Sequence, residues 1–233
     1  MRSFFVFLST GCLFLAGCQR EDSPTAWVRL LHLNTEYPAS VDVRADGKLA
    51  FVGIAFGDGT PYQSFPADAT FQAFPEGRTG PVLFSAHPPM EPEHRYSILF
   101  LSGLPGQVLV LADDTTAPPS GGAYVRFVHA AVRVPQLVIT DIPLSGGGGG
   151  QPRVSADGEM RIWLRRPGQT TGYRAFPAGD VVLYLSPDGL RSTGSARLSL
   201  RAGSLYTVAI TGSGSTQDGI PLRFRAYEHL LIP

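Results

Sequence analysis

A short motif occurs twice in this chain and constrains what it can fold into. Ala26-Trp27-Val28-Arg29-Leu30-Leu31-His32 returns 97 residues later as Ala123-Tyr124-Val125-Arg126-Phe127-Val128-His129. Both copies read small, aromatic, Val, Arg, apolar, apolar, His. Side chains alternate between the two faces of a strand. His32 therefore shares a face with Val28 and Leu30, and His129 with Val125 and Phe127, while Arg29 and Arg126 point the other way. The motif reads as the opening strand of two tandem copies of one domain.

The correspondence continues beyond the opening. Tyr62-Gln63-Ser64-Phe65-Pro66-Ala67 matches Tyr173-Arg174-Ala175-Phe176-Pro177-Ala178, now 111 residues apart, and Tyr96 matches Tyr206, 110 apart. The offset grows around Ser145 to Gly150, a glycine-rich stretch where an insertion costs little. A phosphate-cradling loop would close on Lys and Ser or Thr; Gln151-Pro152 follows here, so the stretch reads as a surface loop.

The 27 Gly and 20 Pro among 233 residues oppose long helices. Short runs such as Ser40–Arg44 and Lys48–Val52, hinged on Asp46-Gly47, read as strands and turns. No stretch sustains a 3.6-residue period. The 19 basic residues balance the 19 acidic ones, which removes the electrostatic case for nucleic-acid binding. Only Lys48 is a lysine. Such a bias marks either buried, bidentate pairing or a compositional habit of the source, and the second is the expectation.

The N-terminus is a targeting segment. Arg2 precedes an apolar run from Phe4 to Leu15, shorter than the roughly 20 residues of a membrane span. It ends in Leu15-Ala16-Gly17-Cys18, which resembles the bacterial lipoprotein box at all four positions. The resemblance implies a signal peptide over 1–17, cleavage before Cys18, and lipid on its sulfur and amine, palmitate included. Cys18 is then the lone Cys of the mature chain, since Cys12 leaves with the signal peptide. Several acyl chains anchor durably where one would not. The expected location is the cell envelope, and the outer membrane if the source is Gram-negative, because Gln19 rather than Asp follows the Cys. Residues 18–25 form a lipidated tether whose seven residues after Cys18 reach at most about 25 Å.

The expected domains are repeat one over 26–114, a linker over 115–122 and repeat two over 123–233. An apolar residue stands six before Tyr96 and Tyr206, and a Pro or Ala four before. This resembles the tyrosine corner of immunoglobulin-like sandwiches, where the hydroxyl bonds upstream backbone. Gly203 favours the turn in repeat two, while Glu93 stands there in repeat one and weakens the match. The fold class is therefore all-β, two tandem immunoglobulin-like β-sandwiches. Taken together, the doubled opening, the Tyr...Phe-Pro-Ala segment and the later Tyr strand resemble the family called domain of unknown function 4397. Its Val-Asp-Val strand and Asp-Gly turn appear in repeat one as Val41-Asp42-Val43 and Asp46-Gly47. Repeat two has Leu137-Val138-Ile139 and a displaced Asp157-Gly158. The resemblance implies no activity.

No catalytic constellation emerges. Zinc spacings and a Gly-x-Ser-x-Gly elbow are absent. His87, Glu91, Glu93 and His94 cluster in sequence, but Pro88, Pro89 and Pro92 punctuate them, so they read as a solvated loop, with no metal and no cofactor. His32 and His129 read first as structural residues and second as a pair of binding candidates. Trp163, between Arg161 and Arg165, is a candidate sugar platform, with packing the plainer expectation. His229 suggests nothing. The expected function is a lipid-anchored, non-enzymatic binding or structural protein of the envelope. Its partners would be the membrane through Cys18 and an envelope glycan or protein; a carbohydrate-binding or adhesion module is the alternative, and a hydrolase comes third.

Overall fold

The computed structural model describes residues 23–103, 106–113, 117–144, 160–213 and 220–229. The signal segment, Cys18, the start of the expected linker and the glycine-rich stretch lie outside them. Among the described residues there are sixteen strands and no helix. The first eight are β1 (Thr25–His32), β2 (Val41–Ala45), β3 (Lys48–Ile54), β4 (Gln63–Pro66), β5 (Phe71–Pro75), β6 (Phe84–Ala86), β7 (Arg95–Leu101) and β8 (Gln107–Asp113). The second eight are β9 (Gly122–His129), β10 (Leu137–Thr140), β11 (Arg161–Leu164), β12 (Arg174–Pro177), β13 (Gly179–Ser186), β14 (Gly194–Leu200), β15 (Leu205–Thr211) and β16 (Arg223–His229).

The strands pair into four-stranded sheets, ordered β4-β1-β7-β8 and β3-β2-β5-β6 in the first half. The second half repeats that order as β12-β9-β15-β16 and β11-β10-β13-β14. The expected class, two tandem immunoglobulin-like sandwiches, is the one observed. Its strand order is particular: β1 and β2 lie in opposite sheets, whereas the first two strands of an immunoglobulin constant domain share one. In each half the opening strand runs parallel to the strand after the corner, Val28 beside Tyr96 and Val125 beside Tyr206.

Each sandwich closes over its own core. Val28, Leu30, Phe71, Ile98 and Phe100 fill the first; Val125, Phe127, Ile139, Leu164 and Val208 fill the second. Burying each large side chain is worth about 1.5–3 kcal/mol. Both corners form as the pattern predicts. The Tyr96 hydroxyl accepts the Glu91 N–H at 2.8 Å, and the Tyr206 hydroxyl accepts the Arg201 N–H at 2.9 Å. The corner turn needs a left-handed residue: Gly203 supplies it at φ 79°, and Glu93 adopts it at φ 65°. A side chain there costs about 1–2 kcal/mol. The β2–β3 hairpin turns on Asp46 and Gly47, both at positive φ, as a two-residue hairpin loop requires.

Candidate functional site

The alternation of β1 and β9 puts Val28, Leu30 and His32, like Val125, Phe127 and His129, toward the sandwich interiors. The opposite faces are also buried, because the two sandwiches dock on each other through them. Leu31, Leu33, Leu99 and Leu101 of the first sandwich meet Val128, Ala130 and Ala209 of the second, with Leu109, Leu111 and Tyr227 partly buried alongside. Arg29 and Arg126 sit in this seam, each 4% exposed. Here the arginine bias reflects buried pairing, and the expectation of a mere compositional habit is corrected for these two residues.

The seam has an approximate twofold pattern. Arg29 Nε donates to Ser97 Oγ at 2.8 Å, and the Ser97 hydroxyl donates to Asp113 Oδ2 at 2.8 Å. In the second half, Arg126 Nε donates to Thr207 Oγ1 at 2.9 Å, and Thr207 Oγ1 lies 2.8 Å from His229 Nε2. The remaining guanidinium nitrogens cross the seam. Arg126 donates to Asp113 and, at 2.8 Å, to the Ala112 carbonyl; Arg29 donates to His229 and, at 3.2 Å, to the Glu228 carbonyl. Tyr62 lies under Arg29 at 5.1 Å and Tyr173 under Arg126 at 4.9 Å, so each cation rests on an aromatic face. Tyr62 also donates to Asp113.

The corner residue is where the halves differ: Asp113 in one, His229 in the other. His229 accepts from Arg29 at Nε2, so its proton belongs on Nδ1, which faces the Tyr62 oxygen at 3.1 Å and Asp113 Oδ1 at 3.4 Å. Burial, then the positive charges of Arg29, Arg126 and Arg95, push its pKa far below the usual imidazole range. It is a neutral hydrogen-bond junction. Burial likewise pushes the Tyr62 phenol far up.

The residues singled out in the sequence are not brought together. His32 and His129 are both fully buried, each in its own sandwich. His32 Nε2 donates to the Ala39 carbonyl at 2.9 Å and its ring stacks on Phe100 at 5.2 Å; burial lowers its pKa. His129 completes no hydrogen bond at either ring nitrogen. Burial lowers its pKa to about 4, opposed mainly by the pull of the Val134 carbonyl. Trp163 is 41% exposed on β11, its ring packed along the turn at Gly189, where an added Cβ would approach it to 3.0 Å. In the corner loop, Glu91 and His94 form an exposed pair at 3.8 Å, while His87 reaches Thr70 at 3.2 Å. Among the described residues no group of three His, Cys, Asp or Glu side chains is placed to hold a metal. Sequence reasoning missed Tyr62, Asp113 and His229. Their signal was the second apolar face of β1, β7 and β8, since a sheet apolar on both faces is covered on both.

Residues 26–140 match the family model described as domain of unknown function (DUF4397). The chain carries a DUF4397 domain. The matched segment takes in all of the first sandwich and the first two strands of the second, ending at Thr140 before the glycine-rich stretch. No curated protein matches the chain. Among solved structures it is similar to a family 26 carbohydrate-binding module, CBMbc from Eubacterium rectale Amy13K in complex with maltoheptaose. That likeness has 7% identity and a TM-score of 0.24 over 88% of this chain and 97% of the other, too slight to bear on function.

Proposed function

We propose that this DUF4397 protein is a lipid-anchored cell-envelope protein whose paired sandwiches act as one rigid, non-enzymatic binding or structural unit. One observation carries the non-enzymatic reading. The densest set of titratable groups, Arg29, Arg126, Asp113 and His229, is 7% exposed or less and spent on joining the two sandwiches. Groups so enclosed bond to one another and leave no site for a substrate. The anchor reading rests on Leu15-Ala16-Gly17-Cys18 and on the tether that leads to β1. Lipid on Cys18 would hold the first sandwich close to the bilayer, in the outer membrane if the source is Gram-negative.

The experiment is fractionation of cells expressing the wild type and Cys18→Ser, with metabolic palmitate labelling. The expected result is a labelled, membrane-bound wild type and an unlabelled variant that leaves the membrane fraction. A variant that stays membrane-bound would sink the anchor. A second reading, a carbohydrate-binding or adhesion module, is favoured by the exposure of Trp163 between Arg161 and Arg165. A glycan array on which wild type and Trp163→Ala bind alike would remove that residue from it.

A further inference from the structure

The Val41-Asp42-Val43 segment of β2 has no part in the seam, yet it buries a carboxylate. Asp42 is 7% exposed. Its Oδ1 accepts the Gly53 N–H at 2.8 Å, and its Oδ2 accepts the Gly77 N–H at 2.8 Å. Asp42 thus ties β3 and the turn after β5 to β2. Two more buried polar side chains work nearby. Asn34 accepts the N–H groups of Glu36 and Tyr37 at 2.9 and 3.1 Å, and His32 holds the Ala39 carbonyl. Glu76 N–H then donates to the Ser40 carbonyl at 3.1 Å, joining the two loops.

Between these braced loops lies an open cleft of about 410 Å³. Tyr37, Leu83 and Pro81 supply apolar walls, and Ser40, Glu76 and Arg78 supply polar ones. Its volume falls at the lower end of the roughly 300–1,000 Å³ usual for small-molecule sites. The second sandwich has lost the bracing. Val138 stands where Asp42 does, and Ala131 where Asn34 does, so neither carboxylate nor amide braces those connections there. Buried polar groups that fix two loops in one copy, and are dropped in the other, mark a local task rather than a need of the fold.

The lining selects the ligand class. Glu76 and Arg78 both line the cleft, so its polar wall offers a carboxylate acceptor and a guanidinium donor. A neutral ligand rich in both donors and acceptors satisfies both groups, and the Tyr37 and Pro81 rings offer a face for C–H groups. A pyranose ring has both properties. We propose that the cleft of the first sandwich is a binding site for a neutral sugar of one or two rings, with Tyr37 as its platform and Glu76, Arg78 and Ser40 as its hydrogen-bonding groups. The cleft lies between the β1–β2 and β5–β6 connections, at the end of the sandwich away from Thr25. It does not depend on Trp163 or on Cys18.

The test is an amide chemical-shift titration of the isotopically labelled full chain in detergent with maltose, cellobiose and N,N′-diacetylchitobiose. The expected result is saturable shifts over residues 37–40 and 75–83 with at least one of them. Arg78→Ala should weaken that binding about tenfold, the loss of a hydrogen bond to a charged group. Tyr37→Ala should weaken it also, while Trp163→Ala leaves it unchanged. Because Arg78 is exposed, its variant keeps the fold, which the unshifted remainder of the spectrum would report. No shifts with any of the three sugars would overturn the proposal. So would shifts centred on Trp163, binding indifferent to Arg78→Ala, or cleft shifts produced by a proline-rich peptide and not by the sugars. None of these outcomes bears on the lipid anchor, which the Cys18→Ser fractionation tests separately.

Discussion

The two halves of the seam are built from the same parts, except at one corner. The first half ends its chain of hydrogen bonds on Asp113, the second on His229. Asp113 meets Arg126 as an ion pair; His229 meets Arg29 as a neutral acceptor. The seam therefore encloses two guanidinium groups and one carboxylate, and its second corner works only while the imidazole stays unprotonated. The duplicated domain keeps its docking geometry while one corner changes chemistry, and that change makes the joint sensitive to acid.

The largest effect is expected at the charged corner. Asp113→Ala leaves Arg126 buried without its counter-charge, and removing one partner of a buried pair costs about 3–5 kcal/mol. Urea denaturation of the wild type and the variant measures it; a loss under about 1 kcal/mol would show that the pair does not hold the seam. Next in size is acid. His32, His129 and His229 are neutral in the folded chain because burial lowers their pKa values below the ordinary imidazole value of about 6.5. Unfolding lets them take up protons once the pH falls below that value, so their stabilising contribution is complete above it and is lost as the pH falls. For His129, lowered to about 4, this amounts to about 2 kcal/mol at pH 5 relative to pH 8. His129→Gln should shrink the gap between urea midpoints at the two pH values; an unchanged gap would mean that His129 is protonated in the folded state.

A gentler change makes the two corners alike. His229→Asp gives Arg29 a carboxylate in the place Asp113 gives one to Arg126, and should raise stability at pH 7 by about 1 kcal/mol, the usual net worth of a well-made hydrogen bond. It should also flatten the acid loss. A drop in midpoint at pH 7 would show that the corners are not equivalent. The smallest effect lies in the tyrosine corners. Glu93→Gly relieves the left-handed Glu93 and copies Gly203, for a gain of about 0.5–1 kcal/mol in the thermal or urea midpoint. No gain would mean that the Glu93 side chain compensates for its backbone.

Much of this was legible in the residues. The two expected opening strands and the runs Ser40–Arg44 and Lys48–Val52 overlap observed strands, because period-two alternation and Gly, Pro and Asp breaks are local signals. The doubled opening motif placed His32 and His129 inward and Arg29 and Arg126 outward, and the spacing before Tyr96 and Tyr206 located both corners. What the outward face touches was not legible. Arg29 and His229 are 200 residues apart, and alternation shows that a face exists without showing what covers it. His229 looked isolated because Thr207 is near it only once β15 and β16 pair, and Arg29, Tyr62 and Asp113 only once the sandwiches dock. The brace around Asp42 was equally hidden: the Val-Asp-Val motif was visible, but the glycine amides that it binds come from β3 and from the turn after β5.

The two sandwiches form one body across the seam. The chain holds two tryptophans, Trp27 in the first sandwich and Trp163 in the second. Urea unfolding followed by tryptophan fluorescence in Trp163→Phe reports the first sandwich, and in Trp27→Phe the second. A single cooperative unit predicts coincident midpoints and slopes in the two variants. Separate midpoints, with one sandwich unfolding while the other stays folded, would contradict it.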